Sequence, residues 1–174
     1  LAGRIGILTL LPLSIHELSD SKILTEVNQL IINGGYPRIY TEKISPEDFY
    51  PSYIHSYVER DVRQLVNVEN LRTFQKFMRL CASRVGQLLN VSDLAMNCGI
   101  NQKTVENWLS ILEASYILYL LTPYHENFNK RVIKTPKLFF YDTGLVCSLL
   151  GIKTSNDVSL SPWKGHLFEC LIIS

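Results

Sequence analysis

Apolar residues recur along this chain with two different periods, and the places where the period changes mark its elements. After Asn101, Val105, Trp108, Leu109 and Leu112 follow at steps of three, one and three. That spacing puts all four on one face of a helix. Gln102, Lys103, Glu106, Asn107 and Ser110 take the opposite face. Asn101 is placed to cap this helix. Upstream, Leu94 and Ala95 open a shorter helix for which Ser92 is the expected N-cap. Gly99 stands where that helix ends and the backbone needs a positive φ. Downstream, Tyr116 to Leu121 (YILYLL) is aromatic and apolar, is closed by Pro123, and reads as a buried strand. A short helix, a glycine turn, an amphipathic helix and then strands is the pattern of a winged helix-turn-helix.

The same reading runs through the rest of the chain. Gly3 to Leu11 is apolar on both faces, as in a buried parallel strand. Ser14 to Ser19 start a short helix. Ser21 to Asn33 is helical, with Ile23, Val27, Leu30 and Ile31 on one face, and Gly34-Gly35 stop it. These glycines do not form a phosphate loop, which needs Gly, four residues, Gly, Lys and Ser or Thr. Ser45 to Val66 carries one helix or two. Ser45 and Asp48 make a capping-box-like start, with Pro46 at the first helical position and Pro51 as a restart. Ile54, Tyr57, Val58, Val62 and Leu65 form its apolar stripe, against the charged run Glu59 to Arg63. Asn70 to Val85 turns Phe74, Phe77, Met78 and Cys81 inward and Arg72, Lys76, Arg79 and Arg84 outward.

Asn127 to Tyr141 reads as two strands around Thr135-Pro136, the hairpin that would be the wing. Asp142 is expected to cap a helix from Leu145 to Leu150 that Gly151 ends. Gly165 to Ile173 begins a further helix, on which Glu169 is expected to be solvated.

Charge then limits the chemistry. With 47% hydrophobic and 19% charged residues the chain is globular rather than disordered. Its formal net charge of +1 leaves nucleic-acid contact only to a local patch. Arg72, Lys76, Arg79 and Arg84 could form a weak phosphate-tracking face but read sooner as a solvated one; two further patches qualify. The wet face of the Asn101-capped helix offers Gln102, Lys103, Thr104 and Asn107 to a DNA groove. The wing offers Lys130, Arg131, Lys134 and Lys137 to phosphates. Each has a plain alternative. The helix can pack within a larger protein, with Glu106 and Glu113 repelling phosphate, and lysines on a strand edge prevent strand addition. The Glu59–Arg63 run reads first as solvated ion pairs, with arginines serving a phosphate as the lesser alternative.

Cys81, Cys98, Cys147 and Cys170 include no C-x-x-C pair and read as reduced thiols of a cytoplasmic protein. His16, His55, His125 and His166 have no partner at ligand spacing, so neither a metal site nor a catalytic set is expected. The apolar run Ile5 to Leu13 is roughly half of what membrane spanning requires. Both ends read as cut, which predicts a piece of a longer polypeptide.

Several stretches together resemble one family. They are LAGR with LLPLSIHEL, GGYPR at Gly34–Arg38, YIHSYVERDVR at Tyr53–Arg63, RVGQLLNVSDLA, TVENWLSILEASYILYLLTPY, NKRVIKTPKLFFYDTGL and GHLFE. In that order they are similar to prokaryotic AAA-type ATPases whose C-terminal half is the four-one-four-three domain of unknown function. The resemblance implies that residues 1–66 are the end of an ATPase core and its helical lid. Residues 67–136 would be the winged helix, and 137–174 the truncated start of a restriction-endonuclease-like α/β region, with Glu169 at that fold's first-helix glutamate. It implies a mainly α chain with some α+β character. It also implies ATP and Mg²⁺ for the full-length protein, no cofactor and no catalysis in this stretch, and Arg4, Arg60 and Arg63 as nucleotide-sensing candidates. The expected partners are DNA, the remainder of the ATPase chain, or another protein held by the winged helix as a scaffold.

Overall fold

The computed structural model describes Gly6 and residues 8–21, 25–57, 71–124 and 135–174. Side-chain caps set the helix starts. In α1 (Ile15–Asp20), Ser14 Oγ accepts from Glu17 N, and Glu17 Oε2 accepts from Ser14 N at 2.8 Å. In α4 (Pro46–Tyr53), Ser45 Oγ accepts from Asp48 N at 3.2 Å, and Pro46 takes the first position, where no N–H is missed. Between them lie α2 (Val27–Asn33) and α3 (Pro37–Thr41). Then follow α5 (Leu71–Ser83), α6 (Val91–Cys98) and α7 (Gln102–Ala114).

Strands β1 (Leu118–Leu121) and β2 (Lys137–Phe140) pair antiparallel, Leu118 opposite Phe140 and Leu121 opposite Lys137. The chain ends in α8 (Thr143–Leu150), α9 (Ser155–Leu160) and α10 (Lys164–Ile173). The protein is therefore mainly helical with a small sheet.

Five local expectations need correction. The described residues of the Gly3–Leu11 stretch form no strand, and Leu8 and Leu10 are 89% and 92% exposed. A strand needs neighbours for its N–H and C=O groups, and no described residue pairs with this one. Helix α2 starts at Val27 rather than Ser21. Pro51 lies inside α4 instead of restarting it. The proline only removes one hydrogen bond to the carbonyl a turn back, and the helix continues into a π-helical turn at residues 54–57. Asn90, not Ser92, caps α6, because the helix already begins at Val91. Tyr116 sits in a turn with φ 55°, so β1 starts at Leu118.

The segment between α5 and α6 lies against the other side of β2. Gly86 N donates to Leu138 O at 2.8 Å, Leu138 N to Gln87 O at 3.0 Å, and Leu89 N to Pro136 O at 2.8 Å. The ladder thus ties residues 137–140 to both the α5–α6 loop and β1, across the division expected after residue 136. One continuous core runs from Ile31 through Phe77, Trp108 and Phe139 to Cys170. At its centre α8 packs on α2, α4 and α5, because its buried stretch from Thr143 to Cys147 has no polar face to keep wet. All four cysteines are free and buried, and burial raises every thiol, that of Cys170 to about 12. Among the described residues no helix is long and apolar enough to cross a membrane.

Candidate nucleic-acid interface

Helices α6 and α7 are joined by a turn at Gly99, whose φ of 72° is the left-handed geometry that glycine tolerates. Asn101 starts α7, its Oδ1 accepting from Thr104 N at 2.7 Å and from Thr104 Oγ1 at 2.9 Å. Val105, Trp108, Leu109 and Leu112 are buried as the spacing predicts. Trp108 stands edge-on to Phe74 (centroids 5.3 Å, 86°) and Phe77 (5.2 Å, 67°). This contact fixes the rotation of α7 about its own axis.

The opposite face is open. Gln102, Lys103, Glu106, Asn107 and Ser110 are all exposed. Among the described residues none of their side chains is engaged in a hydrogen bond or ion pair. Thr104 differs: its hydroxyl is spent on the Asn101 cap, and it is half-buried.

Several charges on which the sequence reading turned are committed elsewhere. Glu113 was expected on or beside the exposed face. It is instead half-buried, and its Oε1 accepts from Leu120 N at 3.1 Å, joining α7 to β1. Lys137 Nζ lies 2.7 Å from Glu169 Oε1, so Glu169 is paired rather than solvated. β2 and α10 are brought together there by the core beneath them. Arg84 was expected outward but is 19% exposed, forked onto Asp93 through Nε (3.0 Å) and Nη2, with Nη1 on Leu80 O (3.1 Å). That fork clamps α6 to the end of α5. Lys130, Arg131 and Lys134 lie outside the described residues, as do Arg4, Arg60 and Arg63.

A second polar cluster was missed by sequence reasoning except for one of its bonds. Asp142 caps α8 as expected, its Oδ1 accepting from Leu145 N at 2.7 Å. It is also 2% exposed, and its Oδ2 accepts from Gly35 N at 2.7 Å, 107 residues away. Gly34 ends α2 with φ 63°, and a Cβ there would collide with Tyr50 Oη and both Asp142 oxygens. A Cβ on Gly144 would collide with the Tyr50 ring. Tyr50 Oη donates to Asn33 O at 2.7 Å, and Tyr40 Oη to Gly34 O at 2.5 Å.

The GGYP and YDTG stretches therefore meet as one knot, with Tyr50 between them. Burial pushes the Asp142 carboxyl above its ordinary range, against the opposing pull of the N–H groups of Gly35, Leu145 and Gly144 and of the Tyr50 hydroxyl. The only sequence signal was two glycine-containing turns beside aromatic residues. Nearby, a cavity of about 130 Å³ is lined by Ile32, Tyr50, Gly144 and Cys147, with Glu47 and Lys153 paired at 3.6 Å on its wall. No group of three or more metal-ligating side chains occurs among the described residues.

Residues 24–156 match the family described as Domain of unknown function (DUF8612). The chain belongs to this family. It is also 29% identical over 178 residues to an uncharacterized protein of Mycobacterium bovis, Mb2031c, and equally to Rv2008c, an uncharacterized protein of Mycobacterium tuberculosis. Each alignment covers 98% of this chain and 40% of the relative, so the chain spans less than half the length of these curated relatives. No solved structure matches.

Proposed function

We propose that this chain is the non-catalytic, winged-helix part of a longer cytoplasmic ATPase of the AAA type, and that α7 contacts duplex DNA. The observation that carries the reading is the outer face of α7. It holds five exposed polar residues with no engagement among the described residues, on a helix whose other face is locked by Trp108. A helix of this kind fits a major groove. The antiparallel pair β1–β2, with the α5–α6 loop on its far side, supports the winged-helix reading.

The ATPase part rests on the resemblance of the quoted motifs, and the greater length of the mycobacterial relatives leaves room for such a core. ATP and Mg²⁺ then belong to that remainder, toward which Arg4, Arg60 and Arg63 are the nucleotide-sensing candidates.

A second reading, a protein-interaction module, has its own observation. Phe168 and Ile172 of α10 are 48% and 59% exposed.

Anisotropy of a labelled duplex, titrated at low and moderate salt, separates the two. Lys137 is held by Glu169, so the test falls on Lys130, Arg131 and Lys134, the other cations of the expected wing. Three contacts give a log-log salt slope of roughly −3. The triple alanine variant at those positions loses that slope. Absence of binding at low salt rejects the DNA reading and favours the interaction module.

A further inference from the structure

We infer that α7 reads base sequence, over a short adenine-containing site, rather than tracking phosphates. The inference rests on the DNA reading above and names the kind of duplex that fits. The open face carries one cation, Lys103, and one anion, Glu106, so it has no net charge to release counterions. What remains is two primary amides, Gln102 and Asn107, and a hydroxyl, Ser110. Neutral amides can donate to phosphate, but they add no charge to hold it. They match the adenine edge, where N7 accepts and the 6-amino group donates, in a bidentate pair. A carboxylate at Glu106 accepts from the cytosine 4-amino group and repels phosphate, so its place on this face favours base edges over backbone.

The geometry agrees with this division. At about 100° per residue, Gln102 to Ser110 fall within an arc of about 140°, centred away from the Trp108 face. Along the axis they span eight steps of about 1.5 Å, roughly 12 Å, which equals three to four base pairs at about 3.4 Å each. Some of the charges that would spoil the selection are withdrawn, while Arg72, Lys76 and Arg79 of α5 stay exposed. Glu113 is on Leu120 N, Lys137 on Glu169 and Arg84 on Asp93, each held by the fold.

The test is selection from a randomised duplex library by the protein, beside a Gln102→Ala/Asn107→Ala double variant. The expected result is enrichment of a core of three to four base pairs by the wild type, with adenine in it. The double variant should lose about tenfold or more of that preference while holding unselected duplex within about threefold of wild type, since its phosphate contacts are untouched. Two results overturn the inference and leave the DNA reading intact. One is binding by the wild type with no enrichment. The other is the same enriched sequence from the double variant. If no duplex is retained by either protein, the DNA reading falls and this inference with it.

Discussion

The outer face of α7 and the knot at Asp142 are both made of polar residues, and they use them in opposite ways. On α7, Gln102, Lys103, Glu106 and Asn107 face solvent and hold nothing in place among the described residues. At the knot, a 2%-exposed carboxylate joins the end of α2 to the start of α8, and Tyr50 closes it from α4. A buried acceptor with two or more N–H partners costs much to remove; an exposed amide costs almost nothing. Polar residues that the fold needs are spent in this way, and polar residues left unspent on a rigid element are where a partner has something to recognise.

The largest test of that contrast is on the inner side of α7. Trp108→Ala should cost about 3–5 kcal/mol in denaturant unfolding, because it empties the contact with Phe74 and Phe77. A cost under about 1 kcal/mol would mean that α7 is rotated from the phase described.

Asp142→Ala comes next, at about 2–5 kcal/mol, since it strands the N–H groups of Gly35 and Leu145 in the interior. Its pH dependence sharpens the point. The folded pKa is raised by burial, so the stability that Asp142 contributes is full below its ordinary pKa of about 3.9 and is lost as pH rises through the folded value. Asp142→Asn does not titrate. The stability gap between wild type and this variant should therefore shift in favour of the variant as pH rises above about 4. A gap that moves the other way would show the N–H groups outweighing burial.

Smaller effects belong to the surface. Lys137→Met should cost no more than about 1 kcal/mol, because the pair with Glu169 is 42% and 34% exposed and screened by water. A much larger loss would put this ion pair on the same footing as the knot. Smallest of all, Gln102→Ala and Asn107→Ala should change unfolding by within about 0.5 kcal/mol. A measurable loss of stability there would place these side chains in the folding economy of the knot and remove the contrast.

What the sequence determined by itself was local. Amphipathic spacing placed Val105, Trp108, Leu109 and Leu112 inside and five polar residues outside, because a helix fixes which residues share a face. Asn101, Ser45, Gly99 and Gly151 read correctly as caps and stops, because those bonds close within a few residues. Asp142 as a cap was legible for the same reason. Its second bond, to Gly35, was not, since nothing local connects positions 107 residues apart.

The tertiary structure alone decided which charges are free. Arg84, Glu113, Lys137 and Glu169 looked like surface charges in sequence. Each is engaged because packing of the core brings a partner within hydrogen-bond reach. It also decided that Leu8 and Leu10 lie exposed rather than in a sheet, for a strand is stable only where neighbours complete its hydrogen bonds. Periodicity encodes which side of an element is dry, but the partner of a polar group is set by the meeting of distant segments.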